Sequence, residues 1–356
     1  MAAIIKYFSL FLSILAAEIH PAEMWTLPNG KATFFLNGEE GYAYIHDSHF
    51  ISNLTSLDVS LRLKKDYVQN DTLDFRSDYL SFHRRQMRDW KGCEIKYLKK
   101  RLRHSSMMLD SIAPAVMPDT LYMIRTTGDQ EFNAFYTVKK AIIFPGLIRT
   151  SSALFCSRYF RRLIEDILNH EIFHIFSRYH PEIRPKLYAI FGFNQIDHLL
   201  LHPDLRDRLI TNPDDHDLRY KIELPDSIAG RAVDYCLLLY SKHPTWCGYT
   251  DFSARVNVLL EYLDPKLHPL KYIDGSWTSV LNEEGKPLLF DVAVVPQFYK
   301  KIGMPLRDPI SAEEIAAKSF TILLHTVRYP EALNEKTPIE RERLQQLADI
   351  LNEKQW

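Results

Sequence analysis

The chain has 356 residues, of which 46% are hydrophobic and 25% are charged, and its 44 Lys and Arg against 45 Asp and Glu give a formal net charge of -1. These values are typical of a folded globular protein and exclude a disordered, collagen-like or coiled-coil chain. Because the charge is balanced, binding to nucleic acid or to an anionic membrane would need a local basic patch.

Residues 1–17 resemble a secretory signal peptide. Lys6 precedes an apolar stretch over residues 7–17, which ends in small residues and is followed by Glu18. A membrane-spanning helix needs roughly 20 apolar residues, so we expect no transmembrane segment here or later in the chain. The pattern predicts a secreted or periplasmic protein. The alternative is a cytoplasmic protein in which this segment packs on the core.

Turn signals and hydrophobic periodicity divide the rest of the chain. Residues 25–45 predict short strands with turns at residues 28–30 and 38–41, residues 53–109 have a helical pattern, and strands are expected over residues 120–126, 134–137 and 138–144. Helices are predicted over residues 152–179, 311–325 and 339–352. Ser311 and Glu314 fit a capping box at the start of the second of these helices.

The first of these helices contains an HExxH motif, formed by His170, Glu171 and His174. Residues four apart share one face of a helix, so both imidazoles can reach a single zinc ion, and Glu171 lies beside them to activate a bound water. The flanking side chains are bulky and apolar, and burying polar groups among them is costly unless they are paired or bound to metal. The alternative is a buried polar cluster satisfied by hydrogen bonds alone.

A catalytic zinc site needs a third protein ligand, and two arrangements fit the sequence. In the metzincin arrangement the ligand is His180, with Ser177 at the position of that family's turn glycine and Met304 as the counterpart of its methionine turn. In the gluzincin arrangement a glutamate comes from a separate helix, and Glu314 is our choice. The other acids that stay open are Glu313, Glu182, Asp197, Asp214 and Glu223.

Four blocks between residues 79 and 320 carry a further signal. They are YLSFHRRQMRDW (79–90), RTTGDQEFNAFYT followed by AIIFP (125–145), HEIFH followed by LYAIFGF and TNPD (170–214), and FYKKIG followed by EEIAAKSF (298–320). Together they resemble an uncharacterised family of bacterial HExxH proteins with a zincin-like, gluzincin-type arrangement. The resemblance favours Glu314 over His180 as the third zinc ligand.

The resemblance also implies a fold. We expect an α+β, mainly helical protein whose zincin-like core has a small twisted sheet packed on the HExxH helix. Residues 18–115 would form an N-terminal strand and helix region packed on this core, and residues 116–356 would form the metallopeptidase region.

The chain departs from the family pattern at three positions. Lys318 lies four residues after the proposed ligand glutamate, where an acid often orients a zinc-bound histidine. Asp308 and Ser311 stand where a tyrosine and a histidine are expected. These departures motivate a second hypothesis, in which the protein is a zincin-like module that binds zinc or peptide without catalysis.

The first hypothesis is a zinc metallopeptidase that acts on a peptide or protein substrate. His170, His174 and Glu314 would hold Zn²⁺, Glu171 would be the general base and acid, and Tyr299 or a histidine would stabilise the oxyanion. A strand over residues 138–144 would lie at the edge of the sheet, and an extended peptide would pair with it as an additional strand. The alternative for that segment is a plain buried strand.

Two further clusters of polar residues have simpler explanations. Residues 84–103 hold nine basic residues against two acids, but without a stacking aromatic pattern we expect a solvated helix face and no nucleic-acid binding. His198 and His202 are four apart, yet no glutamate directly follows the first, so a second metal pair is disfavoured. The acidic knot at residues 214–217 fits a turn after Asn212 and Pro213.

Four cysteines form neither a CxxC pair nor a zinc-finger spacing. In an exported protein Cys236 and Cys247 are the favoured disulfide, because their bond would close a short loop. The alternative is that these two, Cys93 and Cys156 are all buried thiols.

Overall fold

The computed structural model describes residues 23–68, 74–146, 157–215, 218–225, 231–247, 262–304 and 311–353. The predicted leader, Cys156 and Asp308 lie outside these ranges. The fold is mixed α and β and is compatible with the predicted α+β class. Within the described ranges no helix has both the length and the apolar character needed to cross a membrane.

The helices of the described residues are spread along the whole chain. They are α1 (Gly38–Ile45), α2 (His49–Asn53), α3 (Ser56–Leu63), α4 (Phe75–Gln86), α5 (Gly92–Ile112), α6 (Arg158–Tyr179), α7 (Arg184–Ala189), α8 (Pro203–Arg206), α9 (Pro296–Ile302), α10 (Ala312–Arg328) and α11 (Pro338–Asn352).

The first sheet contains β1 (Glu23–Thr26), β2 (Ala32–Phe35), β3 (Met87–Arg88), β4 (Thr120–Thr126), β5 (Tyr136–Val138) and β6 (Ala141–Phe144). Its strand order is β1-β2-β4-β6-β5, and β3 pairs with the end of β4. Strands β2, β4 and β6 are parallel, whereas β1, β3 and β5 run antiparallel to their neighbours. The sheet therefore ends at β5, which is an edge strand.

The second sheet contains β7 (Phe193–Gln195), β8 (Leu199–Leu200), β9 (Tyr220–Pro225), β10 (Ala232–Ser241), β11 (Leu263–Ile273), β12 (Ser276–Ser279) and β13 (Phe290–Asp291). Its order is β7-β9-β10-β11-β12-β8, with β13 paired to β11. All of these pairs are antiparallel except β12 with β8. This sheet comes from the long stretch between the HExxH motif and Glu314.

The boundary expected at residue 115 falls between α5 and β4. Strands from both sides of it share the first sheet, because β2 pairs in parallel with β4 over four residues of each strand. The N-terminal region is thus joined to the rest of the molecule by backbone hydrogen bonds.

Two local predictions are wrong. Residues 38–41 begin helix α1 rather than a turn, because Asn37 and Glu40 form a reciprocal capping box, with Glu40 N donating to Asn37 Oδ1 at 2.9 Å. Residues 138–144 are not one strand. Val138 ends β5, Lys139 has a φ of 53° in the turn, and Ala141 begins β6, which is internal to the sheet.

Helix α6 is the central helix of the main hydrophobic core. Ser157 caps its N-terminus by accepting a hydrogen bond from Phe160 N at 3.0 Å, and the helix ends at Tyr179, before Pro181. It packs against α5, α10, β5 and β6. The first sheet thus packs on the HExxH helix through β5 and β6.

Contacts between α6 and α10 set the position of the HExxH motif relative to Glu314. Phe173 of α6 and Phe320 of α10 are both fully buried, with ring centroids 5.1 Å apart. Two turns from the start of α6, Glu165 accepts from Arg101 of α5 at 2.6 Å and from Arg328 of α10 at 2.7 Å. These contacts hold the first turn of α10 beside the two histidines.

Replacing Phe320 by Ala should lower the free energy of unfolding by about 3–5 kcal/mol, because it leaves a cavity between α6 and α10. Urea unfolding followed by circular dichroism measures this loss. Tyr159→Ala is the control, since Tyr159 is 78% exposed and its truncation should change stability by no more than about 0.5 kcal/mol. A loss below about 1 kcal/mol for Phe320→Ala would contradict the described packing.

Candidate metal centre

The two histidines of the HExxH motif face the same point. The Nε2 atoms of His170 and His174 lie 3.0 Å apart, and the rings meet edge to face with centroids 4.5 Å apart. His174 is fully buried, whereas the side chain of His170 is 20% exposed. The pair follows from the four-residue spacing on α6, and one side of the site reaches solvent through His170.

Glu314 arrives from the first turn of α10. Its Oε2 lies 3.3 Å from His170 Nε2, and its Oε1 lies 3.6 Å from His174 Nε2. Ligand atoms of the three residues all lie within 4.8 Å of one another. The structure therefore brings together the three residues that the sequence predicts as zinc ligands.

These side chains fit a zinc ion in their chemistry. Two imidazole nitrogens and one carboxylate oxygen are a donor set that catalytic zinc sites use, with the fourth position left for water. Glu171 follows His170 on α6, and its Oε2 is buried without a hydrogen-bond partner among the described residues. A buried carboxylate oxygen that nothing satisfies is costly unless a further group, such as a metal-bound water, occupies the site.

The capping prediction for α10 is only half right, for a reason that concerns the site. Ser311 Oγ accepts from Glu314 N at 3.2 Å, as a capping residue does. The reciprocal half of the box, in which the backbone N–H of Ser311 would donate to the Glu314 carboxylate, is not formed. That carboxylate points instead to His170 and His174.

Glu313 orients His174. Its Oε1 lies 2.8 Å from His174 Nδ1, so it fixes the ring and leaves Nε2 facing Glu314 and His170. The other oxygen of Glu313 accepts from Ser177 Oγ at 2.7 Å and from the hydroxyl of Tyr188. The acid that holds His174 is thus Glu313, the residue before Glu314, and not a residue at the position of Lys318.

The metzincin alternative does not form. Helix α6 continues through Ser177 to Tyr179, so there is no turn at the position where that family has glycine. His180 is the residue after the helix, and its Nδ1 lies 3.2 Å from the exposed Glu182. Met304 is buried in the main core. His180 belongs to neither group of metal-ligating side chains found among the described residues.

The remaining acidic candidates divide into exposed and buried. Glu182, Asp197 and Glu223 are exposed and lie outside the groups of converging ligand atoms in the described ranges. Asp214 is different, because it is buried and its carboxylate lies within 4.8 Å of ligand atoms of Glu171 and His174. The turn expected at residues 214–217 therefore does not account for Asp214.

Asp214 also covers the edge strand. Its Oδ1 accepts from the backbone N–H of Thr137 at 2.7 Å and from Thr137 Oγ1 at 2.5 Å, and Thr137 lies in β5. Arg178, one turn after His174, donates to Thr137 Oγ1 at 2.8 Å. Addition of a peptide strand to β5 would have to compete with Asp214 for this N–H.

The site concentrates negative charge around His174. Burial lowers the pKa of His174, but Asp214, Glu314 and Glu313 raise it, and the result is a pKa of about 10. Burial, with a contribution from Asp214, raises the pKa of Glu171 well above its ordinary value. Burial also acts to raise the pKa of Glu314, yet the two histidines hold it far below the usual range. In the metal-free protein a protonated His174 thus supplies positive charge at the centre.

Other candidate residues lie elsewhere. His202 accepts at Nδ1 from Asp204 N at the start of the short helix α8, and His198 precedes β8, so the two do not share a helical face. Tyr299 packs against the main core from α9, and its role as an oxyanion donor stays a prediction.

Cys236 and Cys247 are free thiols, Cys236 buried and Cys247 exposed, so the prediction of a disulfide between them is wrong. Cys93 is also free and exposed, so the alternative of four buried thiols is wrong as well.

The basic run over residues 84–103 is not a single helix. It spans the end of α4, strand β3 and the first half of α5. Arg84 pairs with Glu39, Lys99 with Glu23, and the buried Arg101 with Glu165. Three of its nine basic residues are therefore paired with acids of the same molecule.

Sequence reasoning missed one residue of the site, Asn212, and named Asp214 only as an alternative zinc ligand. Asn212 donates from Nδ2 to Glu314 Oε1 at 3.3 Å, and Asp214 lies against Glu171 and His174. Both belong to the TNPD block over residues 211–214. Comparisons of the chain with protein-family models, with curated proteins and with solved structures find no match.

Glu313→Gln should lower the free energy of unfolding of the metal-free protein by about 2–3 kcal/mol. The substitution removes the negative charge beside His174. It also leaves one acceptor oxygen for His174, Ser177 and Tyr188, which share two oxygens in the wild type. The measurement is urea unfolding in the presence of a chelator. Glu182→Gln is the matched control, because Glu182 also lies beside a histidine but its side chain is 56% exposed and the change should cost less than about 0.5 kcal/mol. Equal losses in the two variants would contradict the role given to Glu313.

The stability of the metal-free protein should depend on pH through His174. Its folded-state pKa of about 10 lies above the ordinary value of 6.5, so its protonation stabilises the fold fully below about pH 6.5, and this contribution is lost as the pH rises toward 10. Urea midpoints between pH 6 and pH 10 should fall more steeply in the wild type than in His174→Gln. Parallel curves for the two proteins would contradict this prediction, and His180→Gln should behave like the wild type.

Proposed function

We propose that the protein is a zinc-dependent metallopeptidase with a zincin-like core. The observation that carries the proposal is the convergence of His170, His174 and Glu314, which come from two helices, with Glu171 beside them. We further propose, on the resemblance and the sequence pattern, that the substrate is a peptide or protein and that residues 1–17 direct export.

The proposed roles follow from the geometry. His170, His174 and Glu314 would hold Zn²⁺, which when bound supplies a water of pKa near 7 and polarises the scissile carbonyl. Glu171 would take the proton of that water at its buried carboxylate and pass it to the leaving amine. Glu313 would keep His174 in the orientation that presents Nε2.

Burial supports the role of Glu171. A carboxylate in an apolar, nearly water-free surrounding is a stronger base than one in water, because its charged form is less stabilised. Glu171 is 3% exposed, and Asp214 adds negative charge close to it. In the metal-free protein both effects raise the pKa of Glu171, and a more basic carboxylate at this position suits proton transfer.

The metal site is tested by elemental analysis of the purified protein. The wild type should contain about one zinc per chain, Glu314→Ala should lose it, and His180→Ala should keep it. Loss of zinc in His180→Ala with retention in Glu314→Ala would contradict the proposed ligand set.

Catalysis is tested with Glu171→Gln on a broad peptide library. This variant should keep its zinc and lose at least about 10²-fold of the wild-type turnover, because proton transfer by a positioned base contributes 10²–10⁴-fold. Unchanged turnover in Glu171→Gln would reject the proposed mechanism.

A second candidate function is a zinc-binding module without peptidase activity. The observation that favours it is the position of Asp214, which lies close to Glu171 and His174 and occupies the N–H of the edge strand that a peptide would use. Stoichiometric zinc in a wild type that cleaves nothing in the library would support this function over the first.

A further inference from the structure

A polar side chain that is no ligand holds the carboxylate of Glu314 in place. Oε2 of Glu314 faces His170 at 3.3 Å, and Oε1 accepts a hydrogen bond from Asn212 Nδ2 at 3.3 Å. A carboxylate that is held at one oxygen keeps the other directed at a metal, and contacts of this kind set ligand orientation. The effect of Asn212 depends on how firmly its own backbone is fixed.

The residue before Asn212 is fixed by a buried acid of the N-terminal region. Asp58, on α3, accepts from the backbone N–H of Thr211 at 2.8 Å through Oδ1 and from the Thr211 hydroxyl at 2.7 Å through Oδ2. Asp58 is fully buried. Two hydrogen bonds to Asp58 thus fix the backbone and side chain of Thr211 in one arrangement.

Arg62 completes this attachment. Its guanidinium donates to Thr211 O at 3.2 Å and to Asp58 Oδ1 at 3.1 Å, and it binds both oxygens of Glu131 at 2.7 and 2.9 Å. Tyr79 donates to the same Glu131 at 3.2 Å. Breaking such a buried network leaves an uncompensated charge, so the network resists rearrangement.

The other end of the segment is fixed as well. Asp214 accepts from Thr137 of β5, and Arg178 of the HExxH helix donates to Pro213 O at 3.4 Å. Asn212 therefore lies between two anchored residues, Thr211 and Asp214, and its side chain is held against Glu314.

We propose that Asn212 is a positioning residue for the metal ligand Glu314, and that Asp58 and Arg62 hold it there through Thr211. The N-terminal region is then part of the zinc site although it supplies no ligand. The inference rests on the proposed function, because it needs zinc to bind at His170, His174 and Glu314.

The test measures zinc affinity of the full chain by competition with a chromophoric chelator. Asn212→Ala should bind zinc about 10–100-fold more weakly than the wild type, as losses of ligand-orienting contacts do. Visible absorption of Co²⁺ in place of zinc, which reports the ligand geometry, should change as well. Asn194→Ala, at an exposed position of β7, is the control and should leave both readouts unchanged.

The attachment through Thr211 is tested by a matched pair. Thr211→Val loses the hydroxyl that donates to Asp58 and should weaken zinc binding several-fold. Thr211→Ser keeps the hydroxyl and should bind zinc with wild-type affinity. Asp58→Asn should weaken zinc binding as Thr211→Val does. Asp78→Asn is the control and should leave zinc binding unchanged, because the side chain of Asp78 on α4 is half-exposed and binds Tyr67 and Lys65.

The outcomes separate this inference from the proposed function. If the wild type binds zinc and Asn212→Ala and Thr211→Val bind it equally tightly with the same Co²⁺ spectrum, the positioning role is overturned while the metal site stands. This holds even where urea unfolding shows a loss of stability, since a purely structural role would produce that loss. If the wild type binds no zinc, the proposed function fails and the inference fails with it.

Discussion

Two adjacent carboxylates, Glu313 and Glu314, are buried at the start of α10 against the two histidines of α6, and the rest of the site depends on this arrangement. A buried carboxylate is tolerated only when it is paired or hydrogen-bonded. Glu313 meets this requirement through His174, Ser177 and Tyr188, and Glu314 meets it through both histidines and Asn212. The pairing therefore requires α10 to pack on α6 in one register, which the contact of Phe173 with Phe320 supplies.

The N-terminal region takes part in the same constraint. Its strand β2 lies in the sheet that also contains the edge strand β5, and its residues Asp58 and Arg62 bind the segment that carries Asn212. Three of the sequence blocks quoted above meet near Arg62, because Tyr79, Glu131 and Thr211 each belong to a different block. One buried polar network thus joins these three residues through Arg62 and Glu131.

The sequence predicts what local spacing determines. The histidine pair, its neighbouring glutamate, the strand β4 and the starts of the late helices all follow from periodicity and capping within a few residues. The helix at residue 38 was missed because the two glycines of its first turn outweighed the capping pair Asn37 and Glu40. Glu313 and Asp214 could not be given their roles, because their partners lie far away in the chain: Glu313 binds a histidine 139 positions away, and Asp214 binds Thr137, 77 positions away.

A crystal structure of the zinc-loaded protein with anomalous diffraction at the zinc edge tests most directly whether His170, His174 and Glu314 hold the ion. We expect one strong peak about 2.0–2.2 Å from His170 Nε2, His174 Nε2 and a carboxylate oxygen of Glu314, with Glu171 close by but not bound to the metal. A zinc ion bound by His180 or Asp214 in place of Glu314, or the absence of a peak at the two histidines, would contradict this ligand set.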